Sequence, residues 1–504
     1  MAESRRVARG PLVLGIDLGT SAVKVMAMDG QGRPLASGSA DFPTISEVAG
    51  QAEQEPAQWL QAAGAAVAEL ASHLSERYPD WVTRVAGIGV AGQLPTLVCL
   101  GARGPLRRAI TWKDARADAA TAKLIDAAHR QTLYRQTGMP IDGRYLGPMF
   151  RYHWPTHSAD VKSILSAKDF IVQALTGSRV TDPSTAAGYG VFDLLTQTFD
   201  AGLCKLWNIA PASLPAVAPA HAVAGELHSA GAALLGLQPG VPVSVGAADS
   251  VASAFAMMGL EEGIACINMG SSTVILDAVR EPRLDPASRY LLTPHVEPHW
   301  YGREMDLLAT GTGYRWLSEL LGMSDGELDR RAAGSPIGAR GLMFSPYLAG
   351  GEQGALWDSA LRGAVSGLGL QHQAADLARA FLEGVGFEIR RCLEVLAETT
   401  PVRQVVLSGH LAEYPSSLQM LADILHRPIE VHPPGSTAAS GAALGALQML
   451  HALQMPGSAP VLPGARDPRT LAAPGADAAA YDELYARYLR RTAAQRTADA
   501  DSLV

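Results

Sequence analysis

Two acidic residues in this 504-residue chain follow apolar segments and have the chemistry that phosphoryl transfer requires. Asp249 comes after the apolar run 241–245 and the small residues 246–248, which predicts a carboxylate at the mouth of a strand with room for a substrate; Asp17 follows the run 12–16. Transfer to an alcohol needs a base for the hydroxyl proton and positioned charge around the phosphate. We expect Asp249 to be that base and Asp17 to hold Mg²⁺, which keeps part of its water shell. The alternative for Asp249 is that it caps the following helix.

A predicted β-hairpin near the N-terminus has the composition of a phosphate-binding turn. Its strands are the apolar runs 12–16 and 22–28, and Gly19, Thr20 and Ser21 lie between them. Glycine lets the backbone approach a ligand closely, and turn amides can face an anion. Taken alone, the stretch is also explained by an ordinary hairpin with polar turn residues.

The segment 266–276 repeats this design in the second half of the chain. Gly270, Ser271, Ser272 and Thr273 occupy the turn, and an asparagine stands where the first copy has its aspartate. Two such hairpins predict a duplicated domain with a nucleotide between the halves.

A second set of hydrogen-bonding residues follows two later strands of the first half. Gln93 and Leu94 come after one strand, and Trp112, Asp114 and Arg116 come after another. The amide, carboxylate and guanidinium groups suit a polyhydroxylated ligand, and the indole can face its C–H groups. The alternative is a polar loop with a packed tryptophan.

Composition indicates a globular protein with substantial cores in two or three domains. The net charge of −8 argues against a nucleic-acid surface, and the sequence predicts no membrane span and no signal peptide. The four cysteines lack metal-ligand spacing, which predicts reduced core thiols and a cytoplasmic location. These cysteines are Cys99, Cys204, Cys266 and Cys392.

Hydrophobic periodicity predicts an α/β fold. A helix is expected over 58–77 and a buried strand over 85–90, so that strand, helix and strand alternate. We further expect one polar helix over 118–135, one strand over 241–248, and an Ala- and Gly-rich helix over 437–450 that packs closely on a sheet.

In number and order these motifs resemble those of the FGGY carbohydrate kinases, with the xylulokinase branch nearest in pattern. The resemblance extends over roughly residues 12–450, and its most specific part is the glycine-rich segment 346–367. The other segments that carry it are 17–21 with Lys24, 112–116, 168–177, 181–184, 246–249, 270–273 and 377–384.

The resemblance implies two actin-like (ribonuclease H-like) domains that close on a cleft. It implies ATP-dependent phosphorylation of a sugar or polyol hydroxyl with Mg²⁺, and a homodimer is one assembly common in the family. The implied domains are 11–248, which binds the sugar, 249–455, which binds the nucleotide, and 456–504, a linker with a C-terminal helix. The residues implied to bind ATP are Gly19, Thr20, Ser21, Lys24, Gly270, Ser271, Ser272, Thr273, Gly311, Gly409 and His410. The residues implied to bind the sugar are Gln93, Leu94, Trp112, Asp114, Arg116 and Asp249.

Two departures from the family pattern leave the acceptor open: the segment 93–96 lacks the histidine of the xylulokinase branch, and Lys113 replaces an asparagine. A further departure concerns the adenosine loop, where 409–412 carries His410 and Leu411 in place of the usual glycines. The leading interpretation is a kinase for a ketose such as D-xylulose. The alternatives are a kinase for another pentulose, a sugar acid or a polyol, a weakly catalytic sugar-binding regulator, and a chaperone-like ATPase of the same superfamily.

Overall fold

Two seven-stranded mixed sheets, one in each half of the chain, form the frame of the fold. The structure is a computed structural model that describes residues 10–156, 160–349, 352–358, 360–409, 412, 414–433, 435–455 and 471–501. The first sheet contains, in spatial order, Val223–Glu226, Pro242–Ser244, Val85–Gly92, Leu12–Leu18, Ala22–Asp29 and Pro34–Asp41, with Ala247–Ala248 also paired to Val85–Gly92. The second contains Leu291–Pro294, Tyr301–Leu307, Thr273–Val279, Ile264–Met269, Gln404–Gly409, Ile429–Val431 and Leu471–Ala472.

Both sheets are built around a hairpin of the same topology. Leu12–Leu18 pairs antiparallel with Ala22–Asp29 and parallel with Val85–Gly92, and all of its side chains are buried. The predicted repeat of this hairpin is confirmed in the second sheet. The equivalent strands there are Ile264–Met269, Thr273–Val279 and Gln404–Gly409.

Helices and short strands surround and connect these sheets. In the first half the helices are Pro56–Ser75, Trp81–Arg84, Asp118–Leu124, Ala127–Thr137, Leu146–His153, Ala167–Thr176, Pro183–Ala187, Ala201–Leu206 and Ser229–Leu235. In the second half they are Asp249–Met258, Gly311–Leu320, Asp325–Gly334, Ala374–Ala397, Pro415–Leu425, Thr437–Ala452 and Ala478–Asp501. A five-stranded sheet contains Glu53–Gln54, Ala109–Thr111, Thr96–Gly101, Gly104–Pro105 and Ser163–Leu165. Two-residue or three-residue strand pairs are Val180–Thr181 with Ala216–Val217, Phe192–Asp193 with Thr198–Phe199, and Met343–Ser345 with Ala364–Ser366.

A helix of the second half packs directly against the sheet of the first half. Thr437–Ala452 approaches so closely that a Cβ at Gly15 or Gly89 would lie 1.9 or 1.8 Å from a carbonyl oxygen of this helix. Gly441 in turn meets the backbone of the neighbouring helix Asp249–Met258, where a Cβ would lie 1.9 Å from a carbonyl oxygen. The predicted close packing of an Ala- and Gly-rich helix on a sheet is thereby confirmed. These contacts bring the strand ends of the two halves to one cleft.

Two predicted elements are each divided in the structure. The helix predicted over 118–135 is two helices, because the Asp126 side chain accepts a hydrogen bond from the His129 N–H and caps a new helix. The strand predicted over 241–248 is interrupted at Gly246, whose φ of +83° is favourable for glycine alone. A Cβ at Gly246 would lie 2.0 Å from the carbonyl oxygen of Val90. This break turns the chain toward Asp249.

The cysteines are buried and free, which confirms the prediction of core thiols. Within the described part of the chain, no helix is long and apolar enough to cross a membrane.

Candidate active site

Asp249 lies where two cavities meet. It is the first residue of the helix Asp249–Met258, and its carboxylate accepts a hydrogen bond from the Ser250 N–H at 2.9 Å. The N-cap of this helix is Ala248, so Asp249 lies one position inside the helix, and its side chain contacts the first turn through the bond from Ser250. One cavity lies on the Trp112 side and the other on the Asp17 side, and Asp249 lines both. A group in either cavity can therefore approach the same carboxyl group.

Burial and negative charge hold a proton on this carboxyl group. Burial raises the pKa of Asp249 to about 8, and the negative charge of Asp17 acts in the same direction. Burial also raises the pKa of Asp17 to about 6, although Lys24 and a hydrogen bond from Ser436 oppose this increase. A cation bound beside these two carboxylates would favour their charged forms.

Asp17 has one carboxylate oxygen available for such a cation. Its Oδ2 accepts a hydrogen bond from Ser436 Oγ at 3.2 Å. Its Oδ1 is buried and has no hydrogen-bond partner among the described residues. A buried oxygen of this kind fits a hard cation that takes oxygen ligands. Among the described residues, no group of three or more His, Cys, Asp or Glu side chains could hold a metal ion.

The cavity on the Asp17 side has a volume of about 480 Å³ and the features of a phosphate site. The helix Thr437–Ala452 begins there, and the Ser436 hydroxyl accepts a hydrogen bond from a first-turn amide of this helix at 3.2 Å. The helix Gly311–Leu320 also begins at this cavity. Its first residue, Gly311, lies against the backbone of Gly270 in the turn of the second hairpin. Helix N-termini attract anions through their free amides and dipoles. The predicted residues that line this cavity are Asp17, Lys24, Asp249, Gly270, Ser271, Gly311 and Gly409.

The other predicted hairpin residues lie outside the cavity on the Asp17 side. Thr20 and Ser272 instead line the cavity on the Trp112 side, where Trp112 Nε1 donates to Thr20 Oγ1 at 3.3 Å. Thr273 is buried against the Thr310 hydroxyl at 2.7 Å. Gly19 closes the first turn through its N–H, and the side chain of Ser21 is exposed.

Gly409 requires glycine for two reasons. Its φ is +94°, and a Cβ would lie 2.3 Å from the carbonyl oxygen of Met269. The strand that ends at Gly409 can therefore lie against the backbone of Met269 in the second hairpin only because residue 409 has no side chain. His410, predicted to bind the nucleotide, and Leu411 lie outside the described residues.

The cavity on the Trp112 side, which we call the acceptor cavity, has a volume of about 190 Å³. Its predicted members are Leu94, Trp112 and Asp249, with Thr20 and Ser272 from the hairpin turns. Several other lining residues come from distant parts of the chain and were not predicted from the sequence. These are Met139, Arg144, Tyr145, Thr293, Glu304, Asp306, Gln353 and Trp357.

Gln93, Asp114 and Arg116 do not line the acceptor cavity. Gln93 is buried and donates from Nε2 to Gln54 Oε1 at 2.9 Å. Arg116 Nε donates to both carboxylate oxygens of Asp114 at 3.0 Å, and Arg116 Nη2 lies 2.6 Å from Glu53 Oε1. The close spacing of Asp114 and Arg116 lets them pair locally, which shapes the loop that carries Trp112.

Lys113, the other unusual residue of this loop, also stays outside the cavity. Its Nζ lies over the Trp112 ring, 5.2 Å from the ring centroid. The positive charge therefore contacts the indole face.

A buried network holds the segment before Asp249. Lys168 is fully buried and donates from Nζ to the Val245 carbonyl oxygen at 2.8 Å. The same nitrogen lies 3.0 Å from Asp169 Oδ1 and 3.1 Å from Asp182 Oδ1. These residues carry part of the family resemblance, but the sequence alone gives them no role. The available signal was a lysine beside an aspartate at the start of a helix whose following residues are mostly apolar.

Comparison with known proteins gives two family matches that together cover most of the chain. The N-terminal domain of the FGGY family of carbohydrate kinases matches residues 12–256, and the C-terminal domain of that family matches residues 265–450.

Individual relatives have names from two substrate classes. The xylulose kinase of Bacillus subtilis (strain 168) is 30% identical over 441 residues, which cover 86% of this chain and 87% of that protein. The gluconokinase of Bacillus licheniformis is 26% identical over 453 residues, with 86% of each chain covered. The crystal structure of ligand-bound xylulose kinase from Lactobacillus acidophilus superimposes with a TM-score of 0.87 at 26% identity, covering 96% of this chain and 98% of that one. This likeness confirms the predicted fold of two actin-like domains.

Proposed function

The chain belongs to the FGGY family of carbohydrate kinases, as the sequence predicted, and we propose that Asp249 is the general base of its phosphoryl transfer. The enzyme is a phosphotransferase that uses an alcohol group as acceptor. We assign ATP as the donor and a ketose or polyol as the acceptor. The position of Asp249 at the junction of two cavities is the observation that carries this proposal.

The acceptor side of the reaction follows from the position of Asp249. A sugar in the acceptor cavity would place one hydroxyl at this carboxylate, which takes the proton as the oxygen attacks phosphorus. Leu94, Trp112 and Tyr145 would cover the C–H faces of the sugar and exclude water. Exclusion of water matters because water is a competing acceptor.

The donor side uses the cavity next to Asp17. The turn at Gly270 and Ser271 and the helix that begins after Ser436 would hold the phosphates through backbone amides. Lys24 adds a positive charge at the same place. Asp17 would hold Mg²⁺ through the buried Oδ1, and the bound ion would neutralise charge on the transferring phosphate.

The names of the relatives leave the acceptor undecided, because both xylulose kinases and gluconokinases match this chain. A ketose such as D-xylulose is our first candidate, and another pentulose, a polyol and a sugar acid are the alternatives. A cytoplasmic location and a homodimer stay predictions.

An ADP-release assay with ATP and Mg²⁺ tests this function against a panel of ketoses, aldoses, polyols and sugar acids. We expect sustained ADP release with one group of acceptors and phosphorylated sugar as the product. The exposed carboxylate variant Glu226→Gln is a matched control that should retain full turnover. ATP binding without any acceptor-dependent turnover across the panel would contradict the proposal and favour a sugar-binding regulator.

A further inference from the structure

The acceptor cavity contains two carboxyl groups that the proposed reaction does not use. Glu304 and Asp306 lie two residues apart on the strand Tyr301–Leu307, so their side chains point to the same face. Both line the cavity together with Asp249. They belong to the second half of the chain, whereas Trp112, which lines the same cavity, belongs to the first half.

Glu304 is held in place through the helix that carries Asp249. The Ser250 hydroxyl donates to Glu304 Oε2 at 2.7 Å, and the Glu304 side chain is 9% exposed. Asp306 is more open to the cavity, and its strand position is fixed by a backbone pairing with Gln353. The two carboxyl groups therefore have a fixed position relative to the proposed base.

The positive charge in the cavity is already balanced. Arg144 is the one cationic side chain among the described residues that line it. Arg144 Nε pairs with both carboxylate oxygens of Asp142, at 3.2 and 3.1 Å, and the Arg144 N–H donates to the same carboxylate at 2.9 Å. Asp118 adds a further negative charge near this pair. A ligand carboxylate would thus face Glu304, Asp306 and Asp249 without an unpaired cation, which is electrostatically unfavourable.

The pKa values of Glu304 and Asp306 agree with a cavity whose carboxyl groups outnumber its cations. Burial raises the pKa of Asp306 to about 7 although the positive charge of Arg144 opposes this increase, and burial together with the charge of Asp306 raises the pKa of Glu304 well above its usual value. Partly protonated carboxyl groups accept and donate hydrogen bonds, which suits hydroxyl groups. A ligand ammonium group would favour their charged forms.

We propose that Glu304 and Asp306 select an acceptor whose end facing the strand Tyr301–Leu307 carries hydroxyl or ammonium donors, and that they reject sugar acids. The inference rests on the proposed function, because it assigns the cavity next to Asp249 to the acceptor. The relatives are named for a sugar acid, gluconate, and for a ketose, xylulose. For this chain the proposal favours polyols, ketoses or their amino derivatives over sugar acids.

Three five-carbon probes that differ at one terminus test the proposal. These are xylitol, 1-amino-1-deoxyxylitol and D-xylonate, each measured by calorimetric binding and by ADP release. At pH 8, above the pKa of Asp306, we expect the alditol and its amine to bind at least about tenfold more tightly than the aldonate, since like-charge contacts cost several kcal/mol. Glu304→Gln and Asp306→Asn should each reduce this ratio several-fold, whereas Asp306→Glu and the control Glu226→Gln should preserve it.

Three results would overturn the inference. They are equal or tighter binding of D-xylonate by the wild-type enzyme, an unchanged ratio in both neutral variants, and no binding of any probe. The wild-type ratio is informative even where a variant does not fold. Selective binding without phosphoryl transfer to any acceptor would instead contradict the proposed function and leave the selectivity intact.

Discussion

Lys168 donates a hydrogen bond to the main-chain oxygen of Val245, four residues before Asp249, across 2.8 Å. The lysine lies on the helix Ala167–Thr176 and is completely buried. The Ala248 N–H donates to Ser184 Oγ at 3.0 Å, so the segment before Asp249 is held at two points. Asp249 therefore takes its position from the first half of the chain, although its helix packs between the two sheets.

Replacement of Lys168 by methionine should destabilise the enzyme strongly. The substitution leaves Asp169 and Asp182 as buried carboxylates without their cation, which typically costs about 3–5 kcal/mol. Urea denaturation followed by circular dichroism measures the loss, with the exposed Lys205→Met as the control. Wild-type stability in Lys168→Met would show that the network contributes little.

The raised pKa of Asp249 predicts a pH dependence of stability in the ligand-free enzyme. The folded protein holds this proton up to about pH 8, whereas the unfolded chain releases it near about pH 4. The folded state therefore binds more protons between these values, and the free energy of unfolding falls as the pH rises through this range.

Asp249→Asn should remove this contribution. At pH 8.5 the variant should be more stable than the wild type by at least about 1 kcal/mol. A difference of one unit between the folded and unfolded pKa values corresponds to about 1.4 kcal/mol of unfolding free energy. Denaturation at pH 5 and pH 8.5 measures the slope. Part of it should remain, since Glu304 and Asp306 act in the same direction. Identical slopes for wild type and variant would contradict the buried, protonated state of Asp249.

Asp17→Asn should weaken the response to Mg²⁺. The neutral amide is a poorer ligand than a carboxylate, so we expect an apparent Mg²⁺ affinity lower by at least about tenfold in the presence of ATP. Ser436→Ala removes only the hydrogen bond to Asp17 Oδ2 and should have a smaller effect. Titration of ADP release with Mg²⁺ compares the variants. An unchanged Mg²⁺ requirement in Asp17→Asn would rule out Asp17 as the metal ligand.

Gly15→Ala should destabilise the fold through a contact between the two halves. The new Cβ would lie 1.9 Å from the Ala439 carbonyl oxygen, so the helix Thr437–Ala452 must move, at a cost of about 1–3 kcal/mol or more. Gly334→Ala is the matched control, because a Cβ there meets nothing within 4 Å. Thermal denaturation should show a lower midpoint for Gly15→Ala alone. Equal midpoints would indicate that the helix adapts freely.

Local patterns in the sequence predicted the parts of the site that depend on one strand end. Asp17 lies next to the end of the buried strand Leu12–Leu18, Asp249 follows the strand Ala247–Ala248, and the repeated hairpin predicted the duplicated architecture. Asp114 and Arg116 had suitable chemistry, but at this spacing they pair with each other and shape a loop. Their direct contact with the sugar stays a prediction that the geometry does not favour.

The residues that the second half of the chain contributes to the acceptor cavity could not be assigned from local patterns. Glu304 and Asp306 alternate within a largely buried strand, which was a visible signal, but the sequence does not show which face of the second sheet meets the first half. That relation depends on close backbone contacts such as the one at Gly15. The segment around His410 lies outside the described residues, and its contact with the nucleotide stays a prediction.

The most direct test of the central claim compares phosphoryl transfer by wild type and Asp249→Asn at matched substrate saturation. If Asp249 accepts the hydroxyl proton, kcat should fall by about 10²- to 10⁴-fold. The dissociation constants for ATP and for the acceptor should stay close to those of the wild type. A kcat that survives the substitution within a few-fold would show that another group takes the proton and would contradict the account.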